Sequence, residues 1–420
     1  MHFPVIAHTV SEHFFEPMLR LLPACRHKRV CAELPDEQWL PMALTRVLHD
    51  CRSGRAFLQQ YGPHLPVCPP VGSYFESLKS GRRLRLLAEM NAALQTELGR
   101  RPAAQTLTDR VLENFDFYAG DGHWHGAAAH DPSHQDKKPA TGHFYGLNLR
   151  TGGVLHLTGA DIHHRRHEHD MRALKRMELD LLRQNAPKGR KVLWVWDKAG
   201  IDFRQWYHWK STAGIYFISC AKENMTLEVM GKNRFVADDP VNAGVVEDEL
   251  VGTSQGVMVR RVTYDDPLSG ERFEFITTEM GLPPGWIAFL YRLRWNIEKV
   301  FDAFKNKLSE TKSWASSATA KQVQAQLLCL AHNLLQLFQR DILVPAGVTN
   351  QAEDCRRAKR QAQAKQAVHD HARLWPKLLD LLCCSTQHSV KLIRWLRANL
   401  FSSAPCSHAL LALRRLYAIP

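Results

Sequence analysis

The spacing of apolar residues divides the chain into helical ends and a middle of short strands and helices. From about residue 10 to residue 113, apolar positions recur every three or four residues, which predicts amphipathic helices, most clearly over residues 73–98. The chain after residue 283 follows the same helical period. In between, short apolar runs alternate with polar and turn residues, a pattern that is typical of strands.

The middle of the chain predicts a mixed α/β core that carries an insertion. The run Val192-Leu193-Trp194-Val195-Trp196 is apolar without a break, which favours a strand buried on both faces, with its two tryptophans in the core. Residues 223–280 contain short strand patterns separated by turn signals, and we interpret them as a β-rich insertion. The predicted core strands are residues 114–119, 142–149, 154–158, 191–196 and 215–221, and the predicted helices that accompany them are residues 168–185, 203–210 and 283–308.

These boundaries give an α/β fold class and four regions. Residues 1–113 form a helical N-terminal region. Residues 114–222 and 281–345 form the mixed-sheet core, which the β-rich insertion at 223–280 interrupts. Residues 346–420 form a basic helical C-terminal region.

The charge of the chain favours an anionic partner. The sequence has 55 Lys and Arg against 42 Asp and Glu, a net charge of +13, and its pI is about 9.3. Residues 351–420 contain 12 Lys and Arg and 4 Asp and Glu, so that +8 of the excess lies in this last part. A basic surface that serves only solubility is the alternative.

Two classes of protein are disfavoured. The ten cysteines lack the paired short spacing of a structural zinc site, and we expect them to be reduced thiols of a cytoplasmic protein. No apolar run approaches the ~18 residues that a membrane span needs, and the first residues show no secretory pattern. We therefore expect a cytoplasmic protein that has no membrane partner.

The segment 291–305 places four polar side chains along one edge of a predicted helix. At about 100° per residue, Tyr291, Arg294, Glu298 and Lys305 fall within about 60° of one another, beside an apolar arc. Arg294 and Glu298 are four residues apart, so an ordinary surface ion pair is the alternative interpretation.

These four residues carry a resemblance to a known family. The order Tyr291, two residues, Arg294, three residues, Glu298, six residues, Lys305 matches without a gap the YREK signature of the insertion-sequence family 4 transposases. The chain resembles these DDE transposases from about residue 114 to residue 315. Trp295, directly after Arg294, also resembles the family, which usually has Trp at this position.

Two aspartates extend the resemblance. Asp121-Gly122 follows a predicted strand, as the first Asp of the family does, and a basic pair and a strand that contains His follow at 137–145. Asp197 ends the apolar strand, as the second Asp of the family does. The family usually has Arg next, so Lys198 departs from the pattern but keeps the charge.

The resemblance implies an RNase H-like catalytic core and metal-dependent chemistry on DNA. Asp121, Asp197 and Glu298 are then the catalytic residues and the ligands of Mg²⁺, for which Mn²⁺ can substitute. Carboxylates suit this role because Mg²⁺ prefers hard oxygen ligands. Two such ions activate the attacking oxygen of the phosphodiester reaction and stabilise the leaving oxygen.

The resemblance also implies the partners. We expect contacts to transposon-end DNA from Tyr291, Arg294 and Lys305. The Arg294 guanidinium would donate two parallel hydrogen bonds to a phosphate. We expect Lys198 to add a basic contact and Trp295 to stack on an unpaired base. The expected partners are double-stranded DNA at the transposon ends and the target, with the N-terminal region in DNA binding, and a second copy of the chain in a homodimer. The expected location is the bacterial cytoplasm, at the nucleoid.

Alternatives stay open. The acids that compete with the three candidates are Asp116 and Asp131 for Asp121, Asp202 for Asp197, and Asp302 for Glu298. The His-rich run at 163–170 is compatible with a zinc site, although a charged loop that enters the next helix is favoured. The alternative functions are a metal-dependent DNA nuclease without strand transfer and a catalytically inactive DNA-binding protein.

Overall fold

The computed structural model describes residues 8–25, 34–49, 53–65, 67–101, 107–133, 137–161, 167–308, 310–348 and 387–418, and the isolated positions 51, 355, 358, 359 and 362. The helices in these ranges are α1 (Val10–Cys25), α2 (Asp36–Leu48), α3 (Gly54–Tyr61), α4 (Val71–Leu78), α5 (Gly81–Gly99), α6 (Asp170–Arg176), α7 (Leu179–Arg183), α8 (Phe203–Ala213), α9 (Pro284–Leu293), α10 (Trp295–Lys307), α11 (Ala318–Phe338), α12 (Gln387–Asn399) and α13 (Cys406–Ala418). The strands are β1 (Phe115–His125), β2 (Thr141–Asn148), β3 (Val154–Gly159), β4 (Lys191–Val195), β5 (Ile215–Cys220), β6 (Leu227–Lys232), β7 (Val245–Thr253), β8 (Met258–Asp265) and β9 (Arg272–Thr277).

Helices from both ends of the chain share one hydrophobic core around α11. Helix α5 begins where the Ser80 hydroxyl accepts a hydrogen bond from the Arg83 N–H (3.3 Å). Its apolar residues recur every three or four positions, so they line one face, and that face is buried against α11. Each fully buried leucine in such a contact contributes about 1.5–3 kcal/mol.

Two buried asparagines fasten this helical layer to the sheet. Asn91 on α5 donates a hydrogen bond to the carbonyl oxygen of Gln326 on α11 (3.0 Å). Asn333 on α11 donates to the carbonyl oxygen of Val154 on β3 (2.9 Å) and accepts from its N–H (2.8 Å). Because an unpaired buried amide costs about 1–3 kcal/mol, these contacts fix the helices relative to the sheet.

The sheet has the strand order of the RNase H-like fold in its first half. The nine strands run in the order β3-β2-β1-β4-β5-β9-β8-β7-β6. Strand β2 is antiparallel to β1 and to β3, whereas β4 is parallel to β1 and to β5. The α/β fold class with a mixed sheet and helical flanks, expected from the sequence, is confirmed.

The strands within residues 223–280 extend this same sheet. Strand β9 pairs antiparallel with β5, and β8, β7 and β6 follow as antiparallel neighbours. The β-rich pattern of this segment therefore corresponds to four strands that continue the core sheet. The division of the chain into four regions stays a prediction.

Four predicted elements differ from the structure in their bounds, and the first is the helix expected over residues 73–98, which is divided into α4 and α5. The strand expected to end near residue 119 continues to His125, because β2 pairs with it as far as His125↔Thr141. The helix expected over residues 168–185 is divided into α6 and α7, and the helix expected over residues 283–308 is divided at Arg294 into α9 and α10. Asp121 therefore lies within a strand, and the four signature residues do not share one straight helix.

No helix among the described residues is both long enough and apolar enough to cross a membrane.

Candidate active site

The pairing of β1 with β4 brings two aspartates to the same level of the sheet. The two strands run parallel and pair from Phe115↔Lys191 to Ala119↔Val195. When this register is continued by two residues, Asp121 is level with Asp197, which lies just beyond the end of β4. Because neighbouring strands are about 4.8 Å apart, the backbones that carry the two acids are close.

The indole of Trp196 packs against the backbone beside both aspartates. Trp196 is fully buried, and an added Cβ at Gly120 would lie 1.7 Å from its Cζ3 atom. An added Cβ at Gly200 would lie 2.4 Å from its Cδ1 atom. Only glycine leaves room for the indole at these two positions, so the three residues together fix how β1 approaches the end of β4.

Asp197 is oriented by the turn that follows β4. Its Oδ1 atom accepts a hydrogen bond from the Ala199 N–H (2.8 Å), and its carbonyl oxygen accepts one from the Ser219 hydroxyl (2.8 Å). The next residue, Lys198, has an exposed side chain.

Glu298 reaches the site from α10, which packs across β1 and β2. The apolar face of α10 holds it there, and the Phe301 ring stacks on the His123 ring at a centroid distance of 4.6 Å. Beyond α10, the buried carboxylate of Glu310 lies 2.8 Å from Nε2 of His123, so the exit of the helix is also attached to β1.

Arg294 lies between the first and third candidate acids. Its Nη2 donates a hydrogen bond to Oε1 of Glu298 (2.9 Å), and its Nη1 lies 3.4 Å from Oδ2 of Asp121. The side chain is only 14% exposed, and its buried Nε–H has no acceptor among the described residues. The guanidinium therefore joins β1 to α10 through both carboxylates.

The division between α9 and α10 is a tight turn at Arg294. The Arg294 N–H donates to the Tyr291 carbonyl (3.0 Å), and the Ile297 N–H donates to the Arg294 carbonyl (3.0 Å). Both bonds span three residues, as in a 3₁₀ turn, rather than four. Arg294 therefore serves as the junction between the two helices and does not lie on the face of a continuous one.

The other signature residues surround this junction. Tyr291 is on α9, and its ring packs against Phe275 at a centroid distance of 4.9 Å. Trp295 begins α10 and is 58% exposed. Lys305 is exposed and lies two helical turns beyond Glu298, about 10 Å along the helix.

Burial raises the pKa of the Asp121 carboxyl to about 7. The nearby Arg294 guanidinium only partly offsets this effect, and the negative charges of Asp197 and Asp170 raise the pKa further. The carboxylate form of Asp121 thus lacks enough positive charge nearby. A cation at this position would stabilise the ionised form.

Asp170 is a residue of this cluster that the sequence analysis missed. It begins α6, and its Oδ2 atom accepts a hydrogen bond from the Trp196 indole N–H (2.8 Å). Burial raises its pKa, and Asp197 adds to this shift. Asp170 lies at the end of the His-rich run, and its only sequence signal is an acid at the start of a helix, which is common in proteins.

The competing acids have other partners. Asp116, Asp131 and Asp202 pair with Arg190 (2.8 Å), Lys321 (2.8 Å) and Lys175 (2.6 Å) respectively, and Asp302 pairs with Lys307 (2.7 Å). Each of these pairs is an ordinary structural contact.

The described residues of the His-rich run make structural contacts at the start of α6. Residues 163–166 lie outside the described residues. The His167 ring stacks on Trp124 at 4.0 Å, Glu168 pairs with Arg176 (2.8 Å), and His169 accepts a hydrogen bond from the Met171 N–H (3.3 Å). These contacts favour the charged loop over a zinc site.

The three candidate acids suit a magnesium site by their chemistry. They offer only carboxylate oxygens, which Mg²⁺ prefers. Among the described residues, no group of three or more Asp, Glu, His or Cys side chains is already arranged to hold a metal ion. Glu298 now bonds to Arg294, so this bond must give way before the three acids can share a cation.

The fold and the cluster of acids place the chain in the class of DDE transposases. Residues 121–334, just over half of the chain, match the family described as "Transposase DDE domain". The chain belongs to this family. The matched segment begins at Asp121 and includes Asp197 and Glu298. The resemblance found in the sequence is thus confirmed.

One relative from Sinorhizobium fredii, named "Putative transposase y4zB", is 26% identical over 153 residues. The aligned part covers 35% of this chain and 42% of that relative, so the chain spans less than half the length of the relative.

The raised pKa of Asp121 predicts a pH-dependent stability. Below pH 3.8 the carboxyl is protonated in both the folded and the unfolded chain, but between pH 3.8 and about 7 only the unfolded chain releases the proton. As the pH rises through this range, the free energy of unfolding of the wild-type protein should therefore fall relative to that of Asp121→Asn, whose side chain is neutral throughout. Melting temperatures of both proteins in EDTA across this pH range test the prediction. A difference that does not change with pH would contradict it.

The bond between Asp170 and Trp196 predicts that Asp170 acts by position. Asp170→Ala removes this bond and should weaken Mn²⁺ binding to the DNA-free protein by roughly fivefold, the effect of one hydrogen bond of about 1 kcal/mol. Asp170→Asn keeps an oxygen acceptor for the indole and should retain wild-type affinity. Calorimetric titration with Mn²⁺ measures both variants. If Asp170→Asn binds as weakly as Asp170→Ala, the charge of Asp170 matters and its hydrogen bond does not.

Proposed function

We propose that this chain is a transposase that cleaves DNA at transposon ends and joins the freed 3′-hydroxyl to target DNA. The observation that carries the proposal is that Asp121 is level with Asp197 on neighbouring parallel strands of an RNase H-like sheet, with Arg294 bonded between Asp121 and Glu298. Membership of the transposase family supports the same reaction class.

Asp121, Asp197 and Glu298 would hold Mg²⁺, with Mn²⁺ as a substitute. Such ions, bound to these acids, would supply neutralisation of the scissile phosphate and activation of the attacking oxygen. The chain itself supplies orientation, since the β1–β4 register and Trp196 fix the two aspartates, and Arg294 links Glu298 on α10 to Asp121.

Arg294 is proposed to change partners when DNA binds. In the DNA-free protein its guanidinium neutralises Asp121 and Glu298, and its Nε–H has no acceptor among the described residues. A DNA phosphate next to the acids can compete for the guanidinium, because phosphate accepts two parallel N–H bonds. Movement of Arg294 to the phosphate would release both carboxylates at the moment when substrate is present.

Side chains near the α9–α10 junction suit contacts with unpaired bases and with the phosphate backbone of DNA. Trp295 lines a cavity of about 400 Å³, together with Tyr291 and Phe289. Aromatic walls of this kind stack on unpaired bases, so we propose that the cavity receives a base displaced at the cut site. The exposed Lys198 and Lys305 are proposed to contact phosphates on either side.

The remaining partners are proposed on the same basis. Two transposon ends must be held together, so a homodimer is the expected active form. Regions 1–113 and 346–420 are proposed to add DNA contacts, and much of the second region lies outside the described residues. A nuclease without strand transfer has the same acids, so only the joining step distinguishes it.

We predict that Asp121→Asn, Asp197→Asn and Glu298→Gln each abolish Mg²⁺-dependent cutting and joining while DNA binding persists. The assay uses labelled duplexes taken from the DNA on both sides of the coding sequence, and a supercoiled plasmid as target. Asp302→Asn, an exposed acid one turn from Glu298, is the matched control and should remain active.

Three outcomes would contradict this assignment. Near-normal cutting by one of the three variants would remove that residue from the site. Cutting by the wild-type protein without a joined product would favour the nuclease. DNA binding without cutting would favour the inactive DNA-binding protein.

We predict that Arg294→Ala and Lys305→Ala differ when metal binding is measured without DNA. Arg294→Ala releases two carboxylates, so it should raise Mn²⁺ affinity in the DNA-free protein, whereas the exposed Lys305 pairs with neither acid and its loss should leave that affinity unchanged. Both variants should weaken binding to end DNA. Unchanged DNA affinity in Arg294→Ala would show that the guanidinium pairs only with the carboxylates.

A further inference from the structure

A second basic site lies away from the acids, between the N-terminal helices and the start of α11. Here a cavity of about 570 Å³ is lined by the basic side chains Arg46, Lys79, His130 and Lys312. The ring of Trp314 forms part of the wall, and none of the described residues that line the cavity is acidic. We refer to it as the basic cavity.

Arg46 is the most unusual group of the basic cavity. It is only 2% exposed, yet it has no carboxylate partner among the described residues. Its Nη1 donates to the Tyr74 hydroxyl (2.8 Å), its Cζ lies 4.0 Å from the centroid of the Trp314 ring, and its buried Nε–H has no acceptor in the described part of the chain. Buried cations in proteins are normally paired with an anion, so this one is incomplete.

Two helices also begin at the wall of the basic cavity. Ser53 caps α3 by accepting a hydrogen bond from the Ala56 N–H (3.1 Å), and Ser317 caps α11 by accepting one from the Ala320 N–H (3.2 Å). Both serines line the cavity. The positive ends of two helix dipoles thus add to the charge of the basic side chains.

The nearest acids are already engaged. Glu76 accepts a hydrogen bond from Lys79 (2.5 Å) at the exposed rim, and Asp131 is paired with Lys321 (2.8 Å). Lys312, His130 and Arg46 are left as cations or donors for an external anion. The shape and charge of the cavity suit a phosphate group.

From these observations we propose that the basic cavity binds a phosphodiester of the DNA backbone. The inference rests on the proposed function, because it assumes a DNA substrate. The cavity wall is continuous with the strand that carries Asp121. The Gly126 N–H, just past the end of β1, donates to the Thr311 carbonyl (3.2 Å), and the Ser313 N–H donates to the Gly126 carbonyl (2.8 Å).

The distance between the two sites fits one DNA molecule. Gly126 is five residues beyond Asp121 along extended chain, which corresponds to roughly 17 Å. Phosphates of one strand advance by about 3.4 Å per base pair, so Gly126, which is bonded to Ser313 of the cavity wall, is about five base pairs from Asp121. A duplex cut at the acids can therefore place a backbone phosphate in the basic cavity.

The test compares full-length variants with charge removed inside and outside the cavity. The cavity variant is Lys312→Gln, and the charge-matched control is Lys188→Gln, an exposed lysine on a loop elsewhere. Binding of a fluorescein-labelled random-sequence duplex is measured against NaCl concentration without divalent ions. The slope of log affinity against log salt should fall by about 0.9 for each phosphate that the cavity variant no longer binds, and should not change in the control.

A second measurement distinguishes a DNA phosphate from a free anion. Inorganic phosphate is titrated against chloride at constant ionic strength, and the melting temperature is followed for the wild-type protein and for Arg46→Met. A lowered salt slope in the cavity variant supports the DNA site, and it is sufficient if Arg46→Met does not fold. A phosphate-dependent rise in melting temperature that Arg46→Met lacks, with equal salt slopes in the cavity and control variants, would overturn the DNA assignment in favour of a free anion.

Equal salt slopes without any effect of inorganic phosphate would overturn the cavity as an anion site. This result would leave the proposed function intact if the wild-type protein still binds and cuts end DNA. Absence of DNA binding by the wild-type protein would instead contradict the proposed function itself.

Discussion

The parallel pairing of β1 with β4 is the constraint on which the candidate active site depends. This register sets Asp121 level with Asp197, and the indole of Trp196 between Gly120 and Gly200 fixes how closely the two chain segments approach. Two acids held together in this way repel each other, and burial adds to the cost of their charge. The site therefore needs a positive partner at all times.

The resting protein meets part of this need with its own side chain. Arg294 bonds to Asp121 and Glu298, and the tight turn between α9 and α10 places the guanidinium there. These three side chains therefore form a resting state in which Arg294 is bonded to both carboxylates before substrate arrives. An acid cluster neutralised by an internal cation is less able to capture a stray metal ion, and the proposed exchange of partners would couple release of the acids to the presence of DNA.

The sequence predicts the chemistry of the site better than its geometry. Asp197 is expected to end a buried strand because its apolar run is unmistakable, and the structure agrees. Asp121 is expected at a strand end as well, but strand length depends on the partner, and β2 carries β1 on to His125. The turn at Arg294 cannot be predicted from helical periodicity, since the apolar spacing continues through it. Asp170 could not be predicted, because only the folded chain brings its carboxylate into hydrogen-bonding contact with Trp196.

The continuity of the nine-stranded sheet has a mechanical consequence. The strands of residues 223–280 are joined to β5 through β9 by the same kind of hydrogen-bonded ladder that joins β1 to β4. A ladder resists shear along its length, and no unpaired linker separates the described strands of the core from those of this extension. A strained or bent duplex that pulls on the outer strands would therefore move the sheet as a whole, together with the segment that carries Asp197. A hinge among the described elements would then lie in the helices or loops and not within this sheet.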